Sequence, residues 1–183
     1  MNTDIQKIQL LCFRLGSDLY AADIMRIKEI VKPRPSARLP YAPAFVEGVI
    51  NLRGTVIPII DLHSRFILPG QPADQKKRLL IVCLTGQTVG LAVDEVTEVT
   101  AVPVDDLRPP PYFNDGVSRE NIVAVFLLKG DPVMLLNLDL IICPQEGTAL
   151  YETMVSAGIK DCATSLDDAL VKKPVVEDFG ICQ

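Results

Sequence analysis

The chain has 183 residues, 49% of them hydrophobic, with 18 Lys and Arg against 23 Asp and Glu for a formal net charge of −5. That length suits one domain or two tightly joined subdomains with room for a core, and the apolar fraction excludes a mostly disordered chain. The acidic balance, with no basic cluster beyond runs such as Lys76-Lys77-Arg78, excludes a nucleic-acid groove, which needs a basic footprint.

The opening stretch MNTDIQKIQL has neither the basic start nor the long apolar run of a signal peptide. The longest apolar runs, such as IVAVFLL at 122–128, are strand-sized and fall short of the roughly 20 residues that span a bilayer. A soluble cytoplasmic protein with no direct membrane insertion is expected. Residues 8–15 are apolar and end at Gly16-Ser17-Asp18, a turn signal, before 19–22 resumes, which predicts a hairpin. Over 24–31 (IMRIKEIV) two periods compete: Ile24, Ile27 and Val31 have helical spacing, while Arg26, Lys28 and Lys32 alternate with Ile27 and Val31 as in a strand. One helical turn followed by a strand satisfies both. Pro33, Pro35, Pro40 and Pro43 make 32–43 an extended connection.

Pro43 can start a single helical turn over 44–47. Residues 48–52 and 55–60 then form a hairpin around Arg53-Gly54, and Asp61 is placed to cap a short helix, Leu62–Phe66, through its carboxylate. The Pro/Gly-rich segment LPGQPADQ at 68–75 reads as the boundary between two units, near 68–77. Beyond it, 79–84 and 88–93 form a hairpin, 96–102 alternates as a strand, 103–116 is irregular around Pro109–Pro111, and 122–128 with 133–136 form a hairpin around Lys129-Gly130-Asp131. Asn137 repeats the capping position of Asp61. After Pro144 the composition changes: 149–157 predicts a helix ended by Gly158, and Ser165 with Asp168 marks the start of another over 166–173, stopped by Pro174. The domain is expected over 1–144, with a helix and a loosely attached tail over 145–183.

Two segments recur. LRGTVIPIIDL (52–62) matches LKGDPVMLLNL (128–138), with glycines 76 apart (130 − 54). LCFRLGSDLYAA (11–22) matches IVCLTGQTVGLA (81–92), with glycines 70 apart (86 − 16). Same order and similar offset imply one small β-unit used twice.

Chemistry is sparse. His63 is the only histidine, sits at a helix start with no nucleophile spaced to use it, and reads as a solvated or packed residue. The acidic pairs Asp94-Glu95, Asp105-Asp106 and Asp167-Asp168 read as solvated charge. Five cysteines show no CxxC spacing, so neither a zinc site nor a disulfide framework is expected, nor any cofactor. An enzyme working in a cleft between the units, or a small-ligand barrel, finds no convergent polar cluster. What remains is charge in apolar company. Arg53 at a hairpin tip can hold the Glu29 carboxylate as an internal brace, or it is an exposed turn residue unconnected to Glu29. Gly48 and Gly54 mark a close backbone approach and a tight turn. Strands nearly continuous in Val, Ile and Leu, such as 56–60, either bury both faces between the units or leave one face for a partner.

The block PAFVEGVINLRGTVIPIIDL (43–62), with ADIMRIKEIV (22–31), VGLAVDEVTEV (89–99) and LRPPPYF (107–113), resembles the chemotaxis coupling protein family, CheW, in the family's order from about Ile8 to Ile142. The resemblance implies an all-β fold of two intertwined SH3-like five-stranded barrels packed together. It implies a non-catalytic adaptor between the cytoplasmic tip of methyl-accepting chemotaxis receptors and the regulatory domain of the histidine kinase CheA, and so a place at membrane receptor arrays through those partners. A paralogous adaptor of a pilus-motility or developmental pathway is the alternative. The family's motif puts functional weight on Ile27, Glu29, Gly48, Arg53, Leu79, Leu80, Val96 and Val99, and favours the Glu29–Arg53 brace.

Overall fold

Each half of the chain opens with a hairpin closed by a tight turn containing glycine. β1 (Lys7–Leu15) and β2 (Asp18–Asp23) pair from Leu10↔Asp23 to Leu15↔Asp18. β6 (Arg78–Leu84) and β7 (Gln87–Val93) pair from Arg78↔Val93 to Leu84↔Gln87. The computed structural model describes residues 6–69, 77–84, 86–110 and 119–159. After β2, Asp23 Oδ1 accepts the Met25 N–H at 2.9 Å and caps a 3-10 turn, Ile24–Arg26, that runs straight into β3 (Ile27–Val31). The mixed periodicity of 24–31 thus resolves into a turn and then a strand.

β4 (Val46–Leu52) and β5 (Thr55–Asp61) form the next hairpin. Its tip residues Arg53 and Gly54 have φ of 55° and 91°, as a two-residue turn matched to strand twist requires. Asp61 Oδ1 accepts the His63 N–H at 3.0 Å and starts α1 (Leu62–Phe66), as its position predicts. The helical turn expected over 44–47 is absent. Val46 N–H closes a turn on the Pro43 carbonyl at 2.9 Å and already belongs to β4, because β-branched Val46 and Val49 gain more from pairing in the sheet than from an isolated helical turn. β8 (Glu95–Pro103), β9 (Ile122–Leu128) and β10 (Asp131–Leu136) follow, then a 3-10 turn, Leu138–Leu140, capped by Asn137 accepting the Asp139 N–H. The last described element, α2 (Pro144–Ser156), begins five residues before the predicted start, since Pro144 serves as a first-turn residue and Glu146 accepts the Cys143 N–H at 2.9 Å. The second predicted helix, 166–173, lies outside the described residues.

The strands form two five-stranded sheets, β8-β1-β2-β10-β9 and β3-β6-β7-β5-β4. Taken strand by strand the plans are identical: an edge strand, a hairpin, one parallel step (β2 with β10, β7 with β5), and a second hairpin. Each sheet draws its central hairpin from one repeat and its other three strands from the other. The expected two-barrel architecture is therefore present, but residues 68–77 do not separate the barrels; they connect α1 to β6, both parts of the second. Local pattern records which strands are equivalent and cannot record which repeat supplies their partners.

The edges are protected in the same way. Ala37 exchanges two hydrogen bonds with Val49 of β4, and Arg108 exchanges two with Val125 of β9, each at 2.8 and 2.9 Å, which occupies an edge otherwise open to another chain. Along β1, Leu10 and Cys12 point into the first barrel while Leu11 and Phe13 point toward the second. Along β6, Leu79 and Ile81 fill the second barrel while Leu80 and Val82 join the layer between the two. Both faces of the central strands are buried, which accounts for their near-continuous apolar sequence. Burial raises the Cys12 thiol pKa to about 11, and nearby Glu98 adds to that, so it stays protonated. α2 lies on the outside of the second barrel, its Leu150 and Met154 packed with Leu39 and Val49. No helix among the described residues is long and apolar enough to cross a membrane.

Candidate functional site

β3 and the β4–β5 tip come from opposite edges of the second sheet, and the curl of that sheet brings them together. Arg53 Nη2 donates to Glu29 Oε2 at 2.9 Å, so the brace exists; the Arg53 side chain is 78% exposed and that of Glu29 27%. An ion pair this exposed adds little stability, and its effect is to fix where the hairpin tip sits. Asn51 Oδ1 accepts the Gly54 N–H at 2.8 Å and tightens the same tip. Gly48, on β4, has φ +154°, and a Cβ there would lie 2.5 Å from the Ala37 carbonyl oxygen. Glycine is what lets the 32–43 connection close over the β4 edge.

The other expected residues divide between surface and interior. Ile27 on β3 and Val96 on β8 are half-buried, and both pack against the layer between the barrels, one from each barrel. Ile30 and Val99, on the same two edge strands, are exposed apolar residues. Leu79 and Leu80 do not share this surface. They are 3% and 1% exposed, and they build the second barrel's interior and the inter-barrel layer respectively. As a contact assignment these two need correction: a leucine pair at the start of a central strand marks packing, since both faces of that strand are covered. Glu29, Arg53, Ile27 and the Gly48 contact thus belong to the second barrel, and Val96 and Val99 to the first.

Three further pairs were not anticipated. Lys129 Nζ at the β9–β10 tip donates to Glu98 Oε1 of β8 at 2.7 Å, repeating in the first barrel what Arg53 and Glu29 do in the second. The repeat carried this signal, since Lys129-Gly130 aligns with Arg53-Gly54. Arg26 grips Asp139 through both Nη atoms at 3.1 and 2.6 Å, and that hydrogen bond holds the Asp139 carboxyl below its usual range. His63 Nε2 hydrogen-bonds Asp94 Oδ2 at 2.7 Å, and Gly16 N–H donates to the same oxygen at 2.6 Å. Asp94 is buried, against the expectation of a solvated acidic pair: the β7–β8 corner carries it under the β1–β2 turn, and the one histidine is packed with it. His63 Nδ1 and Asp94 Oδ1 are buried without a hydrogen-bond partner among the described residues. No group of three or more His, Cys, Asp or Glu among the described residues has the geometry to hold a metal ion.

A surface made of exposed apolar edge-strand residues and hairpin tips fixed by ion pairs is built for contact with other proteins. The comparisons with known proteins agree with that reading. The family model described as CheW-like domain matches residues 9–144. The chain is 38% identical over 129 residues to the Chemotaxis protein CheW of Treponema pallidum, covering 68% of this chain and 76% of that one. It is 31% identical over 132 residues to Protein FrzA of Myxococcus xanthus, covering 70% and 81%. Among solved structures, the scaffolding protein TtCheW of Thermoanaerobacter tengcongensis aligns with a TM-score of 0.72 and 29% identity over 80% of this chain and 94% of that one. The matched stretch holds both barrels, both braced tips and every expected site residue, and on that evidence the chain belongs to the CheW-like family.

Proposed function

We propose that this protein is a non-catalytic adaptor that joins the cytoplasmic tip of methyl-accepting chemotaxis receptors to the regulatory domain of the histidine kinase CheA, in the cytoplasm and held at receptor arrays by those two partners. The observation that carries the reading is the exposed Arg53–Glu29 brace, set beside half-buried Ile27 in a chain of the CheW-like family. In this reading the kinase domain grips the β4–β5 tip and the β3 edge, where the brace fixes orientation. The receptor's helical tip lies along the junction, where Ile27 and Val96 meet the inter-barrel layer. Exposed Ile30 and Val99 supply apolar contact at roughly 25 cal/mol per Å² buried, less the cost of ordering. Gly48, Leu79 and Leu80 act from beneath by shaping that surface.

The test is reconstitution of receptor-dependent kinase stimulation with purified partners. Arg53→Glu is expected to lower stimulation by at least about tenfold, the size of one lost orienting charge contact, with an unchanged melting temperature. Stimulation equal to the parent's would remove the brace from the site. Membership of the CheW-like family also fits a second reading, a paralogous adaptor for a pilus-motility or developmental receptor–kinase pathway. Capture of candidate kinase regulatory domains and receptor-tip fragments on the immobilised chain separates the two by which pair is retained.

A further inference from the structure

The two barrels differ in what covers the outer face of their second hairpin. On the second barrel α2 covers it: Leu150 and Met154, four residues apart, pack with Val49 and Leu39, and Val56 lies against them. The repeat offset of 76 carries that face to the first barrel, where Val49 becomes Val125, Val56 becomes Pro132 and Pro58 becomes Met134. The strand registers agree: Val49↔Pro58 and Asn51↔Val56 in one hairpin match Val125↔Met134 and Leu127↔Pro132 in the other. Val125, Pro132 and Met134 line an open groove of about 510 Å³. Among the described residues no helix lies across it as α2 lies across its counterpart.

The flanks of the two faces are reversed. Beside the covered face stand Glu47 and Asn51, both polar and exposed. Their counterparts beside the open face are Val123 (47 + 76) and Leu127 (51 + 76), which are apolar and 54% and 72% exposed. Side chains at 123, 125 and 127 share one side of β9, because Ala124 and Phe126 between them fill the first barrel's interior. A face turned to water keeps polar flanks; this one is apolar from Val123 to Pro132, wider than the strip that α2 covers. We propose that it takes an amphipathic helix supplied by another protein, seated over Val125 and Met134 as α2 sits over Val49. Large apolar residues four apart on that helix face the sheet, and Val123 and Leu127 extend the contact to either side. Arg14, Asp18 and Asp131 on one rim and Asp106 and Arg108 on the other carry both signs, so the rim fixes direction while apolar contact supplies affinity. The site uses β9 and β10 rather than β3 and β8, so it adds to the coupling function and does not rest on it.

Solution NMR of the full chain tests the seat. The probe is a peptide of α2's own sequence, residues 144–157, held helical by a lactam between Thr148→Lys and Glu152 on its exposed side. The tethered α2 keeps its own bed through its high effective concentration, which leaves the open face for the added copy. Amide signals of Val125, Leu127 and Met134 are expected to shift saturably with the peptide, and not with a peptide carrying Leu150→Asp and Met154→Asp. In the protein, Leu127→Asp or Pro132→Asp should weaken binding at least about tenfold, as a charge does in an apolar contact. Both positions are exposed, and near-parent melting identifies whichever variant remains folded. No saturable shift by about 1 mM peptide overturns the proposal, as do equal shifts with the two peptides, shifts confined to Leu39 and Val49, or undiminished binding by a folded variant. Face signals that move on dilution of the lone protein overturn it in favour of a second copy. Nuclear Overhauser contacts from Val123 or Leu127 methyls to residues beyond 159 in the lone protein overturn it in favour of the chain's own tail.

Discussion

The first and second barrels are assembled from the same list of parts, and their differences sit where one side needs something the other does not. Both post-hairpin corners are tied by a hydrogen-bonded side-chain pair of opposite layout. His63 of α1 reaches Asp94 after β7, and its counterpart Asp139 (63 + 76) reaches Arg26 after β2. The first pair is buried, with side chains 6% and 9% exposed, and the second is open at 36% and 53%. The duplication therefore preserves geometry more strictly than chemistry. A buried pair and a solvated one hold equivalent places, and their energetic weights differ because a buried polar group left without its partner costs far more than an exposed one.

Breaking the two pairs is the largest expected contrast. Asp94→Ala removes the acceptor for both His63 and the Gly16 N–H, and urea unfolding should show a loss of about 3 kcal/mol. Asp139→Ala, at the equivalent but open position, should cost no more than about 1 kcal/mol. Equal losses would mean that burial is not what separates the corners. Nearly as large is the contrast between Gly48 and its counterpart Ala124 (48 + 76). Gly48→Ala forces a Cβ to 2.5 Å from a backbone oxygen at a φ that favours glycine, with an expected cost of about 2–3 kcal/mol. Ala124→Gly deletes one methyl from the first barrel's interior and should cost about 1 kcal/mol. Comparable denaturation midpoints for the two variants would show that the Ala37 connection gives way freely.

The braced tips sharpen the comparison through function more than stability. Arg53→Glu and Lys129→Glu should each change unfolding free energy by less than about 1 kcal/mol, because both pairs are largely solvated. Coupling separates positioning from direct contact. If the Arg53 brace works by holding the tip, the double exchange Arg53→Glu with Glu29→Arg restores much of the stimulation lost in Arg53→Glu. If the guanidinium itself touches the kinase, the double exchange is as inactive as the single.

These contrasts also explain what was legible in the chain. Hairpins, glycine tips and the Asp61 cap are local, dictated by turn chemistry and backbone N–H groups within a few residues, and they stand where the pattern puts them. The exchange of hairpins between repeats is not local, since β1 and β6 carry near-identical apolar patterns and nothing in either states which repeat supplies its neighbours. Asp94 departs from its local pattern for the same reason. Beside Glu95 it looks like one of two solvated acids, and only the fold carries one under the β1–β2 turn while the other stays near the surface. Glu29–Arg53 was legible because a tip arginine and an edge-strand glutamate lie in motifs long enough to be specific. Its twin Lys129–Glu98 was available through the repeat, although no single motif contains it.

The smallest expected effect is in acid. Burial raises the pKa of the Glu146 carboxyl, but the Cys143 N–H and the two-pronged Arg65 contact, at 2.9 and 3.0 Å, outweigh it and hold the group below its ordinary 4.5. Asp139 lies below its ordinary 3.8 because Arg26 hydrogen-bonds it, against the opposing pull of burial. A carboxyl that is more acidic folded than unfolded stabilises the fold fully above its unfolded pKa, and the contribution fades as pH falls through the folded value. Stability should thus be flat in these two groups above about pH 5 and decline below pH 4.5. Glu146 ties α2 to α1, whereas Asp139 ties only an exposed corner. Glu146→Gln should therefore flatten the acid limb of a melting-temperature profile and, at neutral pH, raise hydrogen exchange in α2 alone, while Asp139→Asn should flatten that limb and leave α2 protected. An acid limb unchanged in both variants would assign acid sensitivity to other carboxyls and leave these two pairs without measurable weight.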